Sequence, residues 1–411
     1  MNPLPIVMAL FRRNRATVLL FVCLVTIAVA LGIAVSAQER ALRQGSARAA
    51  DRFDLIVGAP GSQTELLMNI VYLQPSAIEL LKPEVLARLL AEPKTDLVAP
   101  IGYGDSVDGF SVVGTTAEFV AHLSGALGEG RLFETETEAV VGAASPFRLG
   151  QTIEPVHGHG EGGLGALEGG DHDEHDGVTH HVDLTIVGRM AATGTPWDAA
   201  IIVPVEQVWH VHGLPTGHPP GEERIGPPFD PAHLPGVPAV VVKPDTVAAA
   251  YGLRSAYRTQ DSTAFFPAEV LVQLYAVLGD VRSVLDVMAL TTRLLVVAAI
   301  MAGLMALIQL QRERFAVLRA LGAPRAYIFL VVWTGITAMV AAGAILGLGL
   351  GYAVAQVLSA AISQQSGIAI SASIGRSELI LAGVLVLLGG LVALAPAALV
   401  HNRSVVDVLR G

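Results

Sequence analysis

Apolar runs long enough to cross a lipid bilayer constrain this chain more than any other feature. Four of them, at residues 16–37, 294–310, 328–358 and 379–400, approach or exceed the ~20 residues a helix needs to span a ~30 Å hydrocarbon core. In that core the backbone polar groups must be satisfied within the segment, so each run is expected to be a helix. The composition agrees: 52% of residues are hydrophobic, 15% are charged and the mean hydropathy is +0.57.

Charge orients the runs. Residues 38–285 hold 15 Lys and Arg against 32 Asp and Glu, whereas the rest of the chain holds 11 against 4. Arg12, Arg13 and Arg15 precede the first run, Arg312, Arg314, Arg319 and Arg325 lie between the second and third, and Arg403 and Arg410 follow the fourth. The positive-inside rule makes these three places cytoplasmic. Arg40, Arg43, Arg48 and Arg52 follow the first run and point the other way, but a long segment translocates largely regardless of its charge.

The expected fold class is therefore an α-helical membrane protein with four transmembrane helices and a large extracytoplasmic α+β domain inserted between the first and second. In order, the expected parts are a cytoplasmic N-terminus (1–15), helix 1 (16–37) and the acidic domain with its stalks (38–285). Then come a stalk end with helix 2 (286–310), a cytoplasmic segment (311–326), helix 3 (327–358), an outer loop (359–378), helix 4 (379–400) and a cytoplasmic C-terminus (401–411). Residues 34–37, Ala-Val-Ser-Ala, also resemble a signal-peptide cleavage site, but the apolar run is long for that role. Cys23, the only cysteine, lies inside the first run, so no internal disulfide forms and a packing or lipid-facing role is expected.

Within the acidic segment, residues 41–50 are polar and Ala-rich and read as a helical continuation of the first run. Strands are expected at 53–57, 98–101, 110–113, 139–141, 184–187, 200–203 and 239–242, with helices at 75–90, 246–257 and from about 267. That pattern is α+β in two lobes. Residues 154–234 depart from it, being rich in Gly, Pro, His and acid, and read as a largely flexible insertion. Val270, Leu274, Val277, Leu278, Val281, Leu285 and Met288 form a helical stripe that suggests a second stalk leading into the second run.

Some functions are disfavoured. The only lysines, Lys82, Lys94 and Lys243, do not follow a glycine, so no phosphate-binding P-loop exists here. No spacing singles out a hydrolytic triad or a carboxylate pair. The last two runs carry few ionisable residues: Gln356 is polar, Arg376 and Glu378 stand at an end, and Arg293 can snorkel at the edge of the second run. Intramembrane charges mark ion pathways, so their scarcity argues against an ion pore. Gly343, Gly347 and Gly351 make a small-residue stripe that suits either close packing within one subunit or a dimer contact.

The cytoplasmic segment between runs two and three reads QRERFAVLRALGAPR. Phe315, Leu318 and Leu321 recur at helical spacing, Gly322 suits the left-handed cap of a short helix, and Pro324 can open the next one. Alone, this is either an interfacial connector whose arginines meet anionic headgroups or a docking helix for a partner. The segment RERFAVLRALGA resembles the coupling region of the FtsX/MacB-like permeases of ABC transporters, related to LolC/LolE-like permeases. DLIVGAPGSQTELLMNIVYLQP after the first run, AVVVKPDTVAAAYGLRSAY near the domain's end, the three clustered later runs and the terminal VVDVLRG carry the same resemblance.

This resemblance implies an inner-membrane permease subunit paired with a second copy or a paralogue and bound to a cytosolic ABC ATPase dimer, which holds the ATP and Mg. Closure of the ATPases would drive the outer domain, the mode called mechanotransmission, for export or extraction of a lipoprotein, lipid, peptide or small compound. The expected coupling residues are Arg312, Glu313, Arg314, Phe315, Leu318, Arg319, Leu321 and Gly322. No catalysis by this chain is expected, nor a nucleic-acid partner; an extracytoplasmic binding or adaptor protein and membrane lipid are. An FtsX-like regulator of an envelope hydrolase is the alternative of a different class.

The insertion raises a third reading. His157 and His159, His172 and His175, and His180 and His181 could present imidazoles to zinc, with Asp171, Asp173, Glu174 and Asp176 as further oxygen ligands. A zinc-linked transport or sensing component would use residues 154–181 in this way, whereas a solvated acidic loop would bind metal only adventitiously. His210, His212, His218 and His233 continue the enrichment and read equally as polar loop residues.

Overall fold

A computed structural model describes residues 2–74, 76–155, 182–277, 322–366 and 370–394. The chain divides into a helical unit, residues 1–43, 278–362 and 370–411, and an α+β unit, residues 44–277 and 363–369. The helical unit opens with α1 (Leu4–Arg13), which ends at Asn14 and gives way to α2 (Arg15–Ala50). Helix α2 is unbroken for 36 residues, its last seven belonging to the α+β unit.

In the α+β unit, β1 (Leu55–Gly58), α3 (Gln63–Ile70) and α4 (Pro83–Leu90) lead to β2 (Thr95–Val107), β3 (Phe110–Thr115) and α5 (Ala117–Ser124). There follow β4 (Leu127–Gly130), β5 (Glu138–Val141), β6 (Thr152–Ile153), β7 (Leu184–Met190), β8 (Ile201–Pro204) and α6 (Val205–Val211). The unit closes with β9 (Ala239–Pro244), α7 (Val247–Ala256), β10 (Thr263–Phe265) and α8 (Pro267–Val277). The strand order is β10-β1-β9-β2-β3-β8-β5-β7-β4, with β6 on β7.

Strand β2 makes two lobes out of this path. Its first half, through Ile101, pairs antiparallel with β9, and its second half, from Gly102, pairs antiparallel with β3. One lobe buries Leu55, Val57, Leu86, Leu89, Val240 and Val242 under α4 and α7. The other buries Val112, Val141, Phe147, Ile186, Ile201 and Val203. Strands β1 and β8 are buried at every position, which is why they read as continuous apolar runs, whereas β7 alternates along its length. Ser62, Thr116 and Thr246 cap α3, α5 and α7 by accepting the Glu65, Phe119 and Ala249 N–H groups.

Several expectations need correction. The helix expected at 75–90 begins only at Pro83, because the residue before a proline is held extended and Leu81 pairs with Val237 instead. The strand expected from Phe53 begins at Leu55, since Phe53 turns into the core. Within residues 182–234 the two expected strands form as β7 and β8, but the rest, expected to be largely flexible, holds α6 and a packed loop anchored by the buried Trp209. Helices α3, α5 and α6 have only 7–8 residues each and escaped the periodicity reading.

The described part of the helical unit also contains α9 (Arg325–Ser366) and α10 (Arg376–Val392). Among the described residues two helices are long and apolar enough to cross a membrane, Arg15–Ala50 and Arg325–Ser363. Helix α10 overlaps the fourth expected run; the second, 294–310, lies outside the described residues. Phe21, Val25, Val29 and Ile33 form a stripe at every fourth position of α2 and pack with Ile328, Val332, Ile336 and Met339 of α9. Opposite that stripe stand Gly343, Gly347 and Gly351: a Cβ on any of them would lie within 2.6 Å of an atom of α2. The glycine stripe therefore packs within one subunit, because α2 comes too close for any side chain.

Candidate functional site

Of the expected coupling residues, Arg312, Glu313, Arg314, Phe315, Leu318, Arg319 and Leu321 lie outside the described residues, as do His157, His159, His172, His175, His180 and His181. Gly322 is described, with φ +92, the left-handed conformation that favours glycine. Pro324 follows it, and its carbonyl accepts the Tyr327 N–H at 3.0 Å to start α9. Helix α1 packs on this start: Val7, Tyr327 and Val331 are buried together beside Leu10, Phe11 and Ala323, and Tyr327 donates its hydroxyl proton to the Asn2 carbonyl at 3.0 Å. The segment after Gly322 is thus held by an amphipathic helix that ends in Arg12 and Arg13 and presents Leu4 and Met8 outward.

Further along α2 lies a polar cluster. The Glu378 side chain in the first turn of α10 is fully buried and ion-paired with Arg40. Its Oε1 also accepts the Ser36 hydroxyl at 2.8 Å, and its Oε2 accepts the Gly375 N–H at 2.8 Å. Arg40 donates in addition to the Ser373 carbonyl at 3.1 Å. One turn away Ser359 of α9 donates to Gln38 at 3.0 Å, and Gln356 donates to the Ala372 carbonyl at 2.8 Å and to Tyr352 at 2.6 Å. Ala37, inside the cleavage-like tetrapeptide, is buried mid-helix with Ala355 and Ala372. The cluster ties α2, α9, the 370–375 segment and α10 together; removing Arg40 would take the cation from a fully buried carboxylate.

The end of α2 is anchored in the α+β unit. Tyr72 donates to the Ser46 carbonyl at 3.0 Å, and Ala49 and Ala50 are buried. Just beyond, Arg52 and His122 exchange contacts, Arg52 Nη1 donating to the His122 carbonyl at 3.2 Å while His122 Nε2 meets the Arg52 carbonyl at 3.0 Å. The Phe53 ring packs on Phe119 at 5.8 Å and Trp197 at 6.1 Å, and Trp197 donates to the Ile70 carbonyl at 3.2 Å. Sequence reasoning placed Glu378 at a helix end but missed its partners, more than 300 residues away. The lone carboxylate heading a long apolar helix was the available signal.

Among the described residues no three His, Cys, Asp or Glu side chains converge as a metal-binding group. The geometry is that of a packed helical assembly fastened at several points, with no assembled catalytic group in the cluster.

Residues 287–404, which include α9 and α10, match the family model described as FtsX-like permease C-terminal. Over those residues the chain is similar to the FtsX-like permeases. Among solved structures, the chain is similar to the periplasmic region of MacB from Actinobacillus actinomycetemcomitans, at 12% identity and TM-score 0.33, over 56% of this chain and 95% of that one. It is also similar to the extracellular domain of the noncanonic ABC-type transporter YknZ from Gram-positive bacteria, at 10% identity and TM-score 0.28, over 51% and 98% of the two chains. No curated protein matches the chain.

Proposed function

We propose that this chain is a permease that couples ATP hydrolysis by a separate cytosolic ATPase dimer to movement of its α+β unit, serving export or extraction of a lipoprotein, lipid, peptide or small compound. In this reading the chain crosses the inner membrane four times with both termini cytoplasmic, and residues 44–277 lie outside. The ATPases engage Arg312, Glu313, Arg314, Phe315, Leu318, Arg319, Leu321 and Gly322, and a second copy or paralogue completes the pair.

The observation that carries the reading is the continuity of α2. A 36-residue helix is about 54 Å long against a hydrocarbon core of about 30 Å. Its apolar part packs along α9, and its polar extension ends in the buried alanines and the Phe53 contacts of the α+β unit. A helix fastened in this way transmits displacement because bending it breaks its own hydrogen bonds.

The test interrupts the helix. Three glycines inserted after Leu42 should leave ATPase co-purification and ATP hydrolysis intact while abolishing ATP-dependent change in accessibility of cysteines placed on the α+β unit. Persistence of that change with α2 interrupted, or failure of any ATPase to co-purify with the unaltered chain, refutes the proposal.

A further inference from the structure

The α+β unit buries a carboxylate and an imidazole that force transmission does not use. The side chains of Glu206, in the first turn of α6, and His218, in the loop that follows, are 3% and 1% exposed. Glu206 Oε1 accepts the Gly226 N–H at 2.6 Å and lies 3.5 Å from His218 Nε2. The other ring nitrogen, Nδ1, lies 3.3 Å from Arg224, which can only donate, so Nδ1 accepts and the proton of the neutral ring sits on Nε2. That Nε2 is buried without a hydrogen-bond partner and faces the carboxylate.

The pair closes the loop of residues 212–238 onto α6 at several points. Glu206 holds Gly226, His218 packs against Phe229 at 5.3 Å, and Phe229 packs edge-on against Trp209 of α6 at 5.8 Å. Arg224 also donates to the Pro228 carbonyl at 2.7 Å, stiffening the loop around the imidazole.

We propose that Glu206 and His218 form a proton-responsive latch, which holds the 212–238 loop on α6 while both are neutral and releases it when Glu206 ionises. Burial pushes the Glu206 carboxyl up to about 7; the N–H groups of Glu206 and Gly226 oppose this, and Glu136 and Glu118 add to it. Burial and then Arg224 hold His218 below its ordinary value, against the pull of Glu222. A carboxyl freed into water ionises near its usual value of 4.5, so the bound proton favours the closed loop, and raising the pH from there to about 7 favours the open one. One proton changes the opening equilibrium by at most about tenfold per pH unit.

Hydrogen exchange of the full-length chain in lipid nanodiscs, read by mass spectrometry from about pH 4.5 to about pH 8 and corrected for intrinsic rates, tests the latch. Peptides covering residues 213–236 should open by up to about tenfold per pH unit between the ordinary carboxyl value of 4.5 and about 7 and level off above it, while β2 and β9 stay protected. Glu206→Gln should flatten that rise; Glu206→Leu, which needs no polar partner, serves with the same expectation if the first variant does not fold. A flat wild-type profile, or an equal rise in a folded Glu206 variant, overturns the proposal. The readout is loop opening, so the outcome is independent of transport.

Discussion

Gly347→Ala tests whether α2 and α9 form one mechanical element. The added methyl carbon would lie 2.6 Å from Val29 Cβ, 2.8 Å from the Thr26 carbonyl oxygen and 2.9 Å from Val29 Cγ1. Ordinary carbon contacts begin at about 3.5 Å, so the helices must separate by about 1 Å. None of these neighbours swings aside easily, because one is backbone and the other two belong to a β-branched side chain in a helix. A gap of about 1 Å forfeits up to about half of each atom pair's ~0.1–0.2 kcal/mol, so the ~40 pairs that one large buried side chain makes would lose up to about 2–4 kcal/mol. That overlaps the usual overpacking cost of about 1–3 kcal/mol. Alanine at Gly343, Gly347 and Gly351 together is relieved by the same separation, so the triple variant should cost much less than three times the single one. Denaturant unfolding in mixed micelles measures both. Unchanged stability refutes the reasoning, and so does loss of a dimer with unaltered subunit unfolding, which would place the stripe between copies.

Three further outcomes follow from named contacts. Arg40→Ala should cost about 3–5 kcal/mol in the same unfolding assay by stranding the buried Glu378, and Arg40→Met with Glu378→Leu should recover most of it; a double variant no better than the single one contradicts this. Phe53→Ala should destabilise the α+β unit by about 3–5 kcal/mol in thermal melts, and a loss below 1 kcal/mol would mean that Phe119 and Trp197 close the gap. For Glu206 the folded value of about 7 exceeds the ordinary 4.5, so its stabilisation is complete below 4.5 and is lost as pH rises through about 7. The full span is about 3 kcal/mol, and melts of Glu206→Gln should lack that slope; an unchanged slope would assign it to another group.

The first and third apolar runs were legible as long helices because a span needs a minimum length, and β1, β5, β8 and β9 because buried strands concentrate Val, Ile and Ala over four to six residues. Strand β4, Leu-Gly-Glu-Gly, has no such signature: it is set by its pairing with β7. The histidine enrichment misdirected attention at His218. Nothing local distinguishes that residue from His210 or His212; only folding of the Pro- and Gly-rich loop buries it beside Glu206. The polar cluster was illegible for a related reason, since Ser36, Gln38 and Arg40 look like the ordinary polar edge of a span until Ser359 and Glu378 are brought to them.

The glycine stripe and the polar cluster do different jobs. Val25, Val29 and Ile33 repeat every four residues, as do Gly343, Gly347 and Gly351, so sliding α2 by one turn, about 6 Å over four residues, would leave most of the stripe in register with itself. Close packing of this kind sets the distance between helices but specifies their relative position weakly. The contacts from Ser36, Gln38 and Arg40 have no periodic substitute. After a one-turn slide Glu378 would lose Ser36 and Arg40, and Ser359 would lose Gln38. A buried carboxylate left without its cation costs several kcal/mol, more than a repeating apolar stripe can recover by shifting. The register between α2 and α9 is therefore held by a few polar side chains about two-thirds of the way along α2, and the glycines alone cannot supply it.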